Sequence, residues 1–198
     1  MSSLDKLNKA CSAFDNYNSA DPNKMEYHGA IYSKECIYAA RMTEKLYQFK
    51  PNPDEYLLLA ARCQHIGRWE IPRHSYPMDR KGYLQWRNHL KMHHAAIADT
   101  ILKECEYDID TIEKVKSLLL KKNLLQNTDT QLIEDVICLV FIEFYLEGFA
   151  DQHQEEKIVD IIKKTLKKMS PHGIQEALKI PVTDKVKELI GKASPLTP

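Results

Sequence analysis

Apolar residues recur three and four positions apart along almost the whole chain, the spacing of one helical face. Strict alternation, the pattern of a half-buried strand, is nowhere sustained. A weakly amphipathic stretch over about 4–17 opens the chain as an N-terminal arm of roughly 1–20. Asp21-Pro22-Asn23 is a stop-and-cap signal, and it predicts a helix over about 24–48 whose inward stripe carries His28, Ile31, Tyr32, Glu35, Tyr38, Ala39 and Met42. Pro51 to Asp54 breaks that helix. A second spans about 54–67 and ends near Gly67. The segment RWEIPRHSYPMDRKG is irregular, because Pro72 and Pro77 exclude a continuous helix. Further helices are predicted over about 81–105, 110–122, 129–149 and 152–168, with short turns near 171–179 and 183–191 and a flexible tail over about 192–198. The fold class is therefore all-α, a compact bundle of five to six main helices plus short C-terminal helices in a single domain, 1–198.

The chain has 198 residues, enough to bury a core without a disulfide or metal. Lys+Arg and Asp+Glu are both 28, so a globally basic nucleic-acid binder is disfavoured. No run approaches a membrane span, and no glycine loop of the nucleotide-cradling kind occurs. Five scattered cysteines without a CxxC pair read as reduced thiols of a cytoplasmic protein.

Charge is locally uneven. Between Arg62 and His94 stand seven basic residues against two acids, with five of the eight histidines and five of the six arginines. Arginine is suited to forked contacts with phosphate or carboxylate. Arg68, Arg73, Arg80 and Arg87 are candidates to hold an anion, and Trp69, Tyr76, Tyr83 and Trp86 interleave with them as rings for stacking. The partner expected is a small anionic ligand. Nucleic acid ranks below it because the net charge is zero. Beyond about Asp151 the amphipathic pattern packs on the bundle or on a second copy in a homodimer.

Four residues are predicted to point inward from different helices: His28, His65, His94 and Glu143. His94 aligns with Leu90, Ala98 and Ile101, whereas His89 and His93, spaced i,i+4, fall toward solvent. Glu143 lies within the most apolar helix, where a carboxylate needs a cation or a metal; a buried ion pair with Arg68 is the alternative to metal ligation. Metal sites in helical bundles are built from such facing side chains, and this nitrogen-rich set suits one divalent transition metal, Zn, Mn, Ni or Fe. Asp135 is a candidate general base or histidine-orienting group. Lys122, four residues after Leu118, is a candidate to reach inward, with a solvated lysine as the simpler reading.

The run AARCQHIGRWEIPRHSYPMDRKGYLQWR at 60–87, with EDVICLVF at 134–141 and KKMS at 167–170, resembles the domain of unknown function 4202 family, which carries no assigned activity. Residues 60–68, AARCQHIGR, are more distantly similar to the HD-domain metal-dependent phosphohydrolases. In that resemblance His28 stands for the first histidine, Gln64 and His65 replace the His-Asp pair, His94 opens the next conserved helix, and Glu143 stands near the final aspartate. Lys121-Lys122 replace a further histidine pair. The resemblance implies an HD-like fold and a metal-dependent hydrolase of a small phosphorylated, nucleotide-like substrate. Arg68 would then stabilise charge in the transition state, and Gln64 would lie at the substrate. Two other readings remain: a non-catalytic anion- or nucleotide-binding module, which the loss of the His-Asp pair favours, and an iron oxygenase.

Overall fold

The structure, a computed structural model, describes residues 3–122, 124 and 126–193. The chain forms two compact units, Met1–Asn123 and Leu124–Pro198. The expected flexible tail falls largely outside the described residues.

In the first unit α1 (Ser3–Ser19) is followed by a hairpin, β1 (Lys24–Tyr27) and β2 (Ala30–Ser33), then by α2 (Lys34–Phe49), α3 (Glu55–Arg62), α4 (Arg80–Glu104) and α5 (Ile109–Leu119). Helix α1 is no loose arm. Its apolar stripe, Ala10 and Phe14, is fully buried, and it packs against α2, α3 and α4. Met42, Leu46, Leu57, Leu59, Ile66, Leu90, Leu102 and Leu119 complete this core. Each such burial contributes about 1.5–3 kcal/mol.

The helix predicted from residue 24 begins instead at Lys34. Residues 24–33 pair antiparallel, Lys24 with Ser33 and Tyr27 with Ala30. His28 and Gly29 make the turn at φ of 50° and 77°, the doubly positive geometry whose twist matches paired strands. Side chains lock the start of α2 to the end of α1. Ser33 Oγ donates to the Ser19 carbonyl at 2.9 Å, and the Lys24 ammonium donates to Ser33 Oγ at 2.7 Å. The Asp21 carboxylate, fully buried, accepts from the Asn23 backbone N–H through Oδ1 and from the Glu35 backbone N–H through Oδ2, so it tethers the first turn of α2. The stripe assigned to this segment is not inward at its start: Ile31 is 76% exposed.

Helix α3 stops at Arg62, five residues earlier than predicted, in a turn running Cys63 to Gly67. Two short 3₁₀ turns, Arg68–Glu70 and Arg73–Ser75, carry the chain to α4, as the prolines require. In the second unit α6 (Thr128–Phe144) breaks at Tyr145, whose backbone leaves the helical region; α7 (Leu146–Ala150), α8 (Glu155–Leu166), α9 (Pro171–Ala177) and α10 (Asp184–Ala193) follow. Its core includes Ile133, Leu139, Leu146, Ile158, Ile162 and Val186. The all-α class therefore holds, with one small hairpin added. Among the described residues no helix is long and apolar enough to cross a membrane.

Candidate functional site

The turn after α3 has a tightly constrained backbone. Gly67 has φ of +67°, and a Cβ there would fall 2.5 Å from Ile97 Cδ1 and 3.1 Å from His93 Nε2. Its N–H donates to Asn18 Oδ1 of α1. The opposite flank is held by Arg62, whose guanidinium grips both carboxylate oxygens of Asp15, a fork geometry that fixes orientation as well as distance. His65 and Arg68 project from this anchored turn.

His65 lies flat on the Tyr38 ring, centroids 3.9 Å apart and planes 9° from parallel. Glu35, one helical turn before Tyr38 on α2, places Oε2 3.5 Å from His65 Nδ1 and Oε1 4.0 Å from Arg68 Nε. On the other edge of the imidazole, Arg68 reaches Nε2 at 3.5 Å. Arginine only donates, so Nε2 is the acceptor and Nδ1 carries the proton toward Glu35. Burial, then Arg68, His94, Arg87 and Lys121 in that order, push His65 well below the usual imidazole range. His65 is neutral at pH 7.

Burial also raises Glu35 to about 7, with nearby Asp21 adding to the rise and Arg68 and Lys34 opposing it. Arg68, held against the Trp86 ring at 4.8 Å, is itself lowered by burial and by the positive charge of Arg87. His94 is 4% exposed on the inward face of α4, as its alignment predicts. Its Nδ1–H donates to the Ile66 carbonyl at 2.5 Å, and burial takes it down to about 3.

The remaining expected site residues separate. His28 sits in the exposed hairpin turn, because the helix that would have aimed it inward does not exist. Asp135 and Glu143 belong to the second unit. Asp135 is buried but accepts from Gln131 Nε2, the Ser170 N–H and the Ser170 hydroxyl, so it holds the start of α9 rather than standing free as a base. Glu143 is half-buried on α6, with one carboxylate oxygen shielded from solvent. Lys122 is exposed in the turn after α5, not inward.

The aromatic set is mostly structural. Trp86 is buried and donates its indole N–H to the Ile71 carbonyl; Trp69 packs on Tyr17; the Tyr76 hydroxyl meets His89. Tyr83 keeps an exposed ring. Arg73 spends its guanidinium on the carbonyls of Tyr76, Pro77 and Asp79, clamping the loop before α4. Arg80 is exposed, and Arg87 is half-buried beside Arg68. His93, expected near solvent, is half-buried and pairs with Glu70 at 3.0 Å. Gln64 is buried, and its Oε1 finds no hydrogen bond among the described residues. All five cysteines are free thiols.

The metal set implied by the HD-domain resemblance is not assembled. Among the described residues no group of three or more His, Cys, Asp or Glu side chains stands together to hold an ion. The Arg68 guanidinium already donates to the one lone pair of His65, the position from which that ring would ligate an ion. The residues present do not fit that metal.

Asp135→Ala is expected to destabilise the second unit by about 1–3 kcal/mol, since it strands the half-buried Ser170 N–H and hydroxyl donors; urea unfolding measures it. Unchanged stability would show that the capping bonds contribute nothing.

Fold and site together define a small all-α protein with a buried, cation-rich turn. The chain matches the family described as domain of unknown function DUF4202 over residues 8–190, and it belongs to that family. No curated protein matches it, and no solved structure does.

Proposed function

We propose that the protein binds a small oxyanion, the phosphate group of a phosphorylated metabolite, at the turn bearing His65 and Arg68, and does so without a metal. One observation carries this reading. Arg68, half-buried over the Trp86 ring at 4.8 Å, places its guanidinium 3.5 Å from His65 Nε2 and 4.0 Å from Glu35 Oε1, and the half-buried Arg87 and Lys121 add positive charge around that imidazole. The Glu35 carboxylate that meets Arg68 is itself pushed toward its neutral form. Like charges held partly out of water cost free energy that a bound anion repays. The terminal nitrogens of Arg68 match a phosphate edge, and Trp86 beneath its plane keeps the side chain aimed. The exposed ring of Tyr83 is the surface open to the rest of the ligand.

Titration calorimetry with inorganic phosphate and pyrophosphate tests this. Arg68→Gln is expected to weaken binding about 10- to 100-fold, the loss of one or two charge-assisted hydrogen bonds. Wild-type protein that takes up neither anion at millimolar concentration sinks the proposal. Elemental analysis of tag-free protein should show no stoichiometric transition metal; one equivalent of zinc or iron lost in His65→Ala would return the metal hydrolase to first place.

A further inference from the structure

We propose that His65 Nε2 is a phosphoryl acceptor, so that the anion site performs group transfer as well as binding; this rests on the oxyanion reading above. The juxtaposition is of three groups around one ring. Nε2 bears the lone pair and accepts from Arg68 at 3.5 Å, so an oxyanion that takes over that guanidinium frees the lone pair and arrives beside the nucleophile. Nδ1–H points to Glu35 at 3.5 Å, which orients the ring and receives its proton. Tyr38 stacks against the imidazole face and sets its plane. A nucleophile oriented by a carboxylate, beside a fixed cation, is the general pattern of covalent catalysis. The side chain of His65 is 18% exposed, which leaves part of it open to solvent. Burial and the surrounding cations keep the ring in its unprotonated, nucleophilic form at neutral pH.

Transfer proceeds in two displacements at phosphorus. The Nε2 lone pair forms a bond to phosphorus, and the bond from phosphorus to the leaving oxygen breaks, its electron pair departing with that oxygen. The Nδ1 proton passes to the Glu35 carboxylate. Water then attacks phosphorus and the N–P bond breaks, returning its pair to Nε2. Glu35 gives the proton back to Nδ1, and dihydrogen phosphate leaves. The chemical class of donor is a phosphoryl group on a leaving group stable as an anion, such as an acyl phosphate, because departure of that group needs no proton.

The test uses acetyl phosphate and full-length protein, with peptide mapping and phosphorus NMR under alkaline conditions, where phosphohistidine survives. His28, His74, His89 and His172 are exposed and serve as internal controls. The expected result is a label on His65, on Nε2 alone, appearing at least about tenfold faster than on any exposed histidine. Glu35→Gln should slow that label about 100-fold, as loss of a proton acceptor does. It should also admit the Nδ1 isomer, a change in position that a merely structural role for Glu35 would not produce. Phosphate binding in calorimetry combined with no label, or with label only on the exposed histidines, overturns the acceptor role and leaves the binding site standing. Neither binding nor label overturns both.

Discussion

Gly67→Ala is expected to lower the stability of the first unit by about 2–5 kcal/mol and to weaken anion binding with it. Two costs combine. At φ of +67° an L side chain meets its own backbone, which costs about 1–2 kcal/mol. The new methyl then falls 2.5 Å from Ile97 Cδ1, 3.1 Å from His93 Nε2 and 3.3 Å from the Tyr17 ring. Ile97 can swing its terminal carbon aside. His93 is tied to Glu70 and Tyr17 packs on Trp69, so those two resist, and overpacking of this kind costs about 1–3 kcal/mol. Because Arg68 is the next residue, backbone relief moves its guanidinium off Trp86. Urea unfolding and phosphate titration on the same variant measure both effects. A variant as stable as wild type would mean that the turn is far softer than its contacts indicate.

Acidification from pH 7 to pH 5 is expected to cost about 2 kcal/mol of stability, read as a fall in the urea midpoint. His65 and His94 have folded values below their unfolded value of about 6.5. The unfolded chain therefore binds protons there that the folded chain refuses, and stability is lost as pH falls below about 6.5. Glu35 works the other way. Its folded value of about 7 lies above the unfolded 4.5, so between those limits the folded chain holds the extra proton and gains stability on acidification. Two histidines against one carboxyl leave a net of about one proton, a slope of about 1.4 kcal/mol per pH unit. Glu35→Gln removes the opposing contribution and should steepen the slope toward two protons. A midpoint that does not move between pH 7 and pH 5 would contradict the burial of both imidazoles.

Periodicity made much of this legible. The stripe through Leu90, His94 and Ala98 places His94 inward, and the crowding of arginine between residues 62 and 87 marks the turn that carries the cation cluster. What periodicity misjudged are places where a local device overrides it. Residues 24–33 carry helical spacing, yet His28-Gly29 accepts a doubly positive turn and the Asp21 carboxylate moves the helix start to Lys34. That shift removes His28 from any inward face. Glu35 and Tyr38 are on the predicted stripe, but a lone carboxylate and a lone ring in a stripe give no sign of which loop will meet them. Their roles depend on contacts some thirty residues away, which spacing does not encode. Asp135 and Glu143 show the reverse error. Each is rightly placed on a largely buried helix, but its place on α6 says nothing of its partners, and the partners of Asp135 turn out to be Gln131 and Ser170.

The confinement of the cation cluster to the first unit also bears on how the protein is made. Asp21, Glu35, Tyr38, His65, Arg68, Trp86, Arg87, His94 and Lys121 all lie upstream of Leu124. A ribosome reading the message from its start has therefore delivered every one of them before it begins the second unit. His94, near the middle of α4, is the last of the buried members to emerge, and its bond to the Ile66 carbonyl fastens the turn to α4. If the proposed site binds an anion, the nascent chain therefore carries most of the site's side chains once α4 docks and all of them once Lys121 has emerged, while synthesis is still under way.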